Sequence, residues 1–278
     1  MSITLPSYTR REMPLQSRRH RILAIVLTGL KREFRRPAAI FPIGVGAAVT
    51  MITSIFFLLF AGIFLQGRPV DLSFFYLTAS NGAILFFVTL MAAIVGSGLI
   101  ADDLNTMALS LYLSRPITHA DYLLAKTSIL VPLVAMIGVL PLVLTPFLAA
   151  ILGLVPWTTG LVAIVTSFFL GLVLTAFYAS VALFLSSLTR RKAYAAAGVF
   201  AVTFGLTVPA ETLASVTSTP SLLYLSPWED FLAVARAAYG AEGAPIDWPV
   251  ALAILLGTTI VAALVTYIRI QRMEVVSG

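Results

Sequence analysis

The sequence predicts an all-α integral membrane protein: six transmembrane helices, an N-terminal amphipathic interfacial helix, and a short cytoplasmic helix between the second and third spans. Three observations predict it. Hydrophobic residues make up 59% of the 278 and charged residues 11%, against roughly 45–50% and about 25% in soluble domains. The few charges are segregated, leaving uncharged runs long enough to cross a bilayer. Lys and Arg lie almost wholly on one side of those runs. Twelve acidic and 18 basic side chains cannot coat a water-soluble surface of this size, so a soluble enzyme and a disordered chain are both excluded. The absence of cysteine excludes disulfides, zinc thiolate sites, iron–sulfur clusters and thiol catalysis.

A crossing helix needs roughly 20 apolar residues. The 31 uncharged residues between Arg36 and Arg68 predict TM1 (about 38–66), and the 30 between Asp71 and Asp102 predict TM2 (about 73–100). The 63 between Lys126 and Arg190 suit two crossings, divided where Gly153, Pro156 and Gly160 punctuate the run. These are TM3 (about 121–152) and TM4 (about 158–187). Eighteen residues from Lys192 to Glu211 predict a shorter TM5 (about 194–210) ending near Pro209, and 21 from Asp247 to Arg269 predict TM6 (about 249–268). The chain 1–278 thus reads as one six-span domain. It comprises a mobile tail (1–16), an interfacial helix (17–36) and a transmembrane region (38–270) with an external helical segment (211–248).

Six crossings put both termini on one side, and positive loops stay cytoplasmic. Nine Lys and Arg fall within the first 36 residues. Arg115, Lys126, Arg190, Arg191, Lys192, Arg269 and Arg272 share that side, leaving Arg68 and Arg236 on the other. Both termini are therefore expected in the cytoplasm of a cell-membrane protein. The positive charge is a topology signal, and no nucleic-acid partner is expected. Trp157, Trp228 and Trp248 fall at predicted outer boundaries, where indole rings settle among headgroups.

Before TM1, Leu23, Leu27, Leu30 and Phe34 recur at helical spacing, flanked by Arg18, Arg19, Arg21, Lys31, Arg32, Arg35 and Arg36 and closed by Pro37. This pattern predicts a helix lying on the inner membrane surface with its cations near anionic lipid. A helix docked on a partner protein is the alternative.

The stretch from TM2 to TM3 is the most informative. Asp102 or Asp103 suits a helix N-cap, and Leu104, Met107, Ala108 and Leu111 form an apolar stripe after it. Pro116 ends the helix at Ser114-Arg115, and Thr118 with Asp121 forms a capping box that starts TM3. A connection needs only about 2–8 residues, so a capped helix here is built to touch something. The loop Arg190-Arg191-Lys192 between TM4 and TM5 is explained by anchoring on the positive side or by contact with the same partner. Outside, Ser226 and Glu229 form a second capping box with Pro227 at the first helical position. They start an interfacial or re-entrant helix that stops at Gly240.

Catalytic chemistry is scarce. The only histidines, His20 and His119, are both cytoplasmic, which excludes a buried Ser–His pair, a histidine-held haem and a histidine metal site. Gly96-Ser97-Gly98 reads as close helix packing. No titratable side chain is expected at mid-membrane, Glu211 coming nearest, so a carrier driven by a buried carboxylate is poorly supported. Asn81 is the most polar group placed deep in a span; a helix-to-helix hydrogen bond and a contact along a translocation path explain it equally. No phosphate-binding glycine loop with its lysine occurs, so the chain binds no ATP cofactor itself.

The 102–126 segment resembles the membrane subunit of type-2 ATP-binding-cassette (ABC-2) transporters. That family has an acidic residue, a coupling helix, a Ser-Arg-Pro-like turn and a Gly-Lys near the start of TM3. The matching residues are Asp103, the helix to Leu113, Ser114-Arg115-Pro116 and Ala125-Lys126; Met107-Ala108 stands where the family has Gly-Thr, and Ala125 where it has Gly. The resemblance extends over the basic surface helix, the six spans and the helical TM5–TM6 connection. It is nearest to permeases of the sodium-efflux and nitrous-oxide-reductase maturation kind that lack a fused ATPase. It implies a non-enzymatic permease, homodimeric or paired with a similar chain, bound to two separate ATPase subunits that carry ATP and magnesium. Asp102, Asp103, Leu104, Met107, Leu111, Ser114, Arg115 and Pro116 would meet those subunits, and the spans would export a substrate. A force-transmitting subunit acting on an external partner at 211–248, without transport, is the alternative, and an unrelated six-span carrier is the third reading.

Overall fold

In hydrocarbon, backbone N–H and C=O groups find partners only in one another, so apolar runs of this length fold as helices. The computed structural model describes residues 17–64, 70–108 and 117–274. The described residues are helical without strands, and six helices are long and apolar enough to cross a membrane. They are α2 (Pro37–Phe64), the stacked α4 (Gly82–Met91) and α5 (Ser97–Asn105), α6 (His119–Gly138), α8 (Trp157–Leu188), α9 (Lys192–Thr217) and α11 (Trp248–Glu274). Shorter pieces are α1 (Arg18–Glu33), α3 (Tyr76–Ala79) after a 3-10 turn at Leu72–Phe75, α7 (Leu140–Ile151), and α10 (Pro227–Tyr239) after a 3-10 turn at Pro220–Leu225. The expected 1–16 tail lies outside the described residues.

The second span is the central helix. Its most apolar window is 78% buried inside the protein, against 22% for α2 and α11. Ile84, Val88, Met91, Leu99 and Ile100 are sealed in one core with Leu130, Leu133, Val134 and Ile137 of α6 and Leu174 of α8. On α2 the order is reversed, and Ile52, Phe56, Leu59 and Ile63 point outward as lipid-facing side chains do.

Several span boundaries differ from the sequence expectation, TM6 among them, since α11 runs on to Glu274 and does not end near 268. TM2 starts at Gly82 rather than near 73, because the chain before it folds as the 3-10 turn and α3 and then breaks at Ser80–Asn81. It also runs on to Asn105. TM3 is two helices broken at Val139: Pro141, in the first turn of α7, has no N–H to continue the ladder. The break is also where α8 approaches closest. A Cβ on Gly171 would stand 2.8 Å from Val139 Cα and 2.9 Å from the Gly138 carbonyl oxygen. TM5 passes through Pro209 and ends at Ser218, a left-handed cap (φ +53).

The outer segment also changes character. Residues 211–217 belong to α9, and α10 packs against α8, α9, α11 and α3. Ser226 Oγ accepts from the Glu229 N–H at 3.1 Å and starts α10 as expected. Trp228, expected among headgroups, is buried and stacks on Phe231 at 5.4 Å. Trp157 and Trp248, the first residues of α8 and α11, are exposed.

Candidate functional site

The end of the bundle that carries α1 and the α5–α6 connection gathers the charged residues. α1 lies on α6, with Gly29 against Ile129 and Val26 and Leu30 turned into the core. At its start, Arg18 grips Asp121: Nε is 3.1 and 3.0 Å from the two carboxylate oxygens and Nη2 is 2.7 Å from Oδ1. This fork holds both oxygens in one plane, and Asp121 pushes the guanidinium pKa of Arg18 above its usual value. Asp121 also accepts from the Thr118 N–H at 3.2 Å, while Thr118 Oγ1 accepts from the Asp121 N–H at 3.2 Å. The predicted capping box is therefore present, with the cap carboxylate doubling as the anchor of α1. At the other end of α1, buried Glu33 pairs with Arg32 at 3.0 Å and Arg36 at 2.8 Å, closing the turn into α2.

The structure moves Asp102 and Asp103 from the start of a helix to the end of one. Both fall within the last turn of α5, where the helix dipole disfavours carboxylates. Asp103 is compensated from α6. Its Oδ2 accepts from the Tyr122 hydroxyl at 2.7 Å and lies 2.6 Å from Lys126 Nζ, which also stands 5.3 Å from the Tyr122 ring centroid. Tyr122 and Lys126 are four residues apart and so share one face of α6. A Cβ on Gly98 would meet Asp102 Oδ2 at 3.0 Å and Lys192 Cδ at 4.0 Å, so the two connections lie side by side.

The expected apolar stripe is also divided. After Asn105 the chain turns at Thr106 and Met107, and Met107 adopts φ +54. One helix cannot run through a left-handed residue, so Leu104 packs against the core while Met107 is 70% exposed. Leu111, Ser114, Arg115 and Pro116 lie outside the described residues. Arg190 and Arg191 remain near the surface. Arg191 donates its backbone N–H to Thr189 Oγ1 at 3.1 Å and reaches the Tyr194 hydroxyl at 3.5 Å.

Asn81 is not deep in a span. It stands at the N-cap of α4, where its Oδ1 accepts from the Ala83 N–H at 2.9 Å.

Sequence reasoning missed Ser186. Within the second span, residues Ala92–Gly96 form one π-helical turn, which widens the ladder. Ser186 of α8 sits against the turn below it, accepting from the N–H groups of Ile100 (3.1 Å) and Ala101 (2.9 Å) and donating to the Ser97 carbonyl (2.7 Å). Gly96 lets α8 come this near, since a Cβ there would stand 2.6 Å from Ala182 Cβ. Ser97 and Gly98 thus serve helix packing. A serine pair in an apolar helix was the available signal.

A buried ion pair thus ties together the two spans between which the α5–α6 connection runs. Among the described residues no cluster of three His, Asp or Glu is placed to hold a metal ion. A family model described as ABC-2 family transporter protein matches residues 39–275. The chain belongs to the ABC-2 transporter family. No curated protein matches it. The ABC-2 match takes in five of the six crossing helices whole and the first from its third residue, and α1 precedes it. In this ABC-2 protein the Asp103–Lys126 pair joins the two spans that flank the connection.

Proposed function

We propose that this chain is the permease subunit of an ATP-driven exporter. It works as a homodimer or with a similar permease, on two separate ATPase subunits that bind ATP and magnesium. The reading rests on one observation in particular: within an ABC-2 domain, the α5–α6 connection starts and ends on spans clamped by a buried ion pair. A displacement imposed on that connection passes to the second and third spans instead of being absorbed at their ends. Met107, which is exposed, and Leu111 from the sequence stripe are the apolar contacts an ATPase would cover, together with Asp102, Ser114, Arg115, Pro116 and the neighbouring Arg190–Lys192 loop. Differential contacts of this element in two ATPase states are what convert ATP binding into a membrane rearrangement.

The test is to replace Met107 and Leu111 together by Glu and to measure co-purification of the ATPase and substrate-stimulated hydrolysis in vesicles. The expected result is loss of binding or of coupling with the spans still inserted. Full binding with normal coupling would sink the proposal. Orientation is checked separately with a cysteine at Ser218, on the turn after α9. Impermeant reagent should label it from outside only.

A further inference from the structure

Among the described residues, Asp230 has both carboxylate oxygens buried and without a hydrogen-bond partner. It is 1% exposed, on the face of α10 that also carries Phe231 and Val234. That helix is pinned at both ends. Ser226 Oγ donates to Thr207 Oγ1 of α9 at 2.9 Å, and the Tyr239 hydroxyl lies 2.7 Å from Ser167 Oγ of α8. Buried polar groups are nearly always satisfied, so this one needs an explanation.

Among the described residues, the charges around it offer none. Glu229 is adjacent on α10 and repels a second negative charge. Arg236, the only cation on α10, is committed elsewhere: Nε donates to the Tyr76 hydroxyl at 2.7 Å and Nη1 to the Gly243 carbonyl at 3.1 Å. Among the described residues of the elements packed on α10, the titratable groups are Glu211 on α9, Tyr178 on α8, Tyr76 on α3 with Asp71 before it, Tyr224 on the second 3-10 turn, and Asp247 at the start of α11; Lys192, Tyr194, Tyr267, Arg269, Arg272 and Glu274 lie at the far ends of α9 and α11. No cation from the same end of those elements completes a pair. The Tyr224 hydroxyl accepts from the Asp247 N–H at 3.0 Å. A metal ion or an amine needs room and several donors; a proton needs neither.

We infer that Asp230 is a proton-binding site at the end of the bundle opposite α1, and that its protonation holds α10 docked. Neutral, the carboxyl group sits among apolar neighbours at modest cost. Ionised, it becomes an unpaired buried charge, which is relieved only by exposing this face of α10 to water. Burial, with Glu229 beside it, pushes the Asp230 pKa up to about 7, whereas an exposed carboxylate titrates near about 3.9. The docked form therefore holds more protons than the undocked form between those values. Docking is strongest at low pH and weakens as pH rises towards and through about 7. The burial pressure is general here: Tyr239 is pushed up to about 12 and Glu229 is also raised.

The experiment uses the full chain in lipid vesicles. A cysteine replaces Ala235, a fully buried residue of α10, and its labelling by an impermeant maleimide is followed from about pH 5.5 to about pH 8.5. Rates are divided by those of a cysteine at exposed Ser218, which removes the thiol's own titration. The expected ratio rises about tenfold or more across that range in the parent and stays low and flat with Asp230→Asn. In Glu229→Gln, which lowers the docked-state pKa of Asp230, the rise should persist but level off at lower pH. Parallel profiles for the parent and Asp230→Asn would overturn the inference, as would an Asp230→Asn protein labelled rapidly at every pH. If Asp230→Asn fails to accumulate, a flat ratio in the parent alone is sufficient to overturn it.

Discussion

Lys126 Nζ lies 2.6 Å from Asp103 Oδ2, and the two side chains are 5% and 13% exposed. Asp103 is in the last turn of α5 and Lys126 in the second turn of α6, so the pair closes the connection between them into a loop with a fixed base. A buried pair of this kind is weak evidence of net stability, because desolvating both ions offsets much of their attraction. Its value is geometric: it sets the relative height of two spans.

That distinction is measurable. Lys126→Met alone strands the Asp103 carboxylate and should destabilise the protein by about 3–5 kcal/mol. Adding Asp103→Asn should recover most of the loss while leaving the coupling of hydrolysis to transport impaired. Denaturation in detergent reads the first effect, and vesicle transport against ATP consumption reads the second. A double variant as unstable as the single one would show that the pair contributes more than geometry.

Ser186→Ala removes a hydroxyl that satisfies three backbone groups of α5. Leaving buried partners unsatisfied costs about 1–3 kcal/mol each in the worst case, and the helix ladder can recover part of this by re-forming. The expected net loss is about 1–3 kcal/mol. Amide exchange should quicken at Ile100 and Ala101 and stay unchanged in α11. Unchanged exchange at those two amides would refute the assignment.

Gly171→Ala drives a methyl group into backbone atoms at Gly138 and Val139, and overpacking of this kind costs about 1–3 kcal/mol. Gly44→Ala is the control. No atom lies within 4 Å of a Cβ there, and Ala is the better helix former by about 1 kcal/mol, so the control should be neutral or stabilising. Thermal unfolding of the two variants should move in opposite directions.

For α1 the two faces separate two attachments. Val26→Asp with Leu30→Asp should detach the helix from α6, at about 1.5–3 kcal/mol per buried side chain, and expose 18–33 to protease. Leu23 and Leu27 are 52% and 57% exposed. Replacing both by Asp should leave that docking intact and weaken only contact with anionic vesicles. Equal protease sensitivity in the two pairs would refute this division of faces.

The number of spans, the all-α class, the capping box at Thr118 and the Ser226 N-cap were legible in the sequence, although the Ser226 N–H bonds the Leu223 carbonyl and the reciprocal half of that predicted box is not formed by Glu229. Each follows from local physics, in the form of uninterrupted apolar length, side chains that satisfy the first N–H groups of a helix, or Pro at a first turn. Local physics also misled. Asp102 and Asp103 have the residue types of a cap, yet the helix ladder continues through them, because Lys126 and Tyr122 on another helix neutralise the carboxylate at a helix end. Pro209 is a breaker by type and was carried inside α9, while Gly138 and Pro141, overlooked in a long apolar run, broke TM3 where α8 presses against it. By residue type and position Asp230 is one more charge in the external segment 211–248. Only the docking of α10 on four other helices buries it, and burial depends on residues far apart in the chain, which no local pattern records.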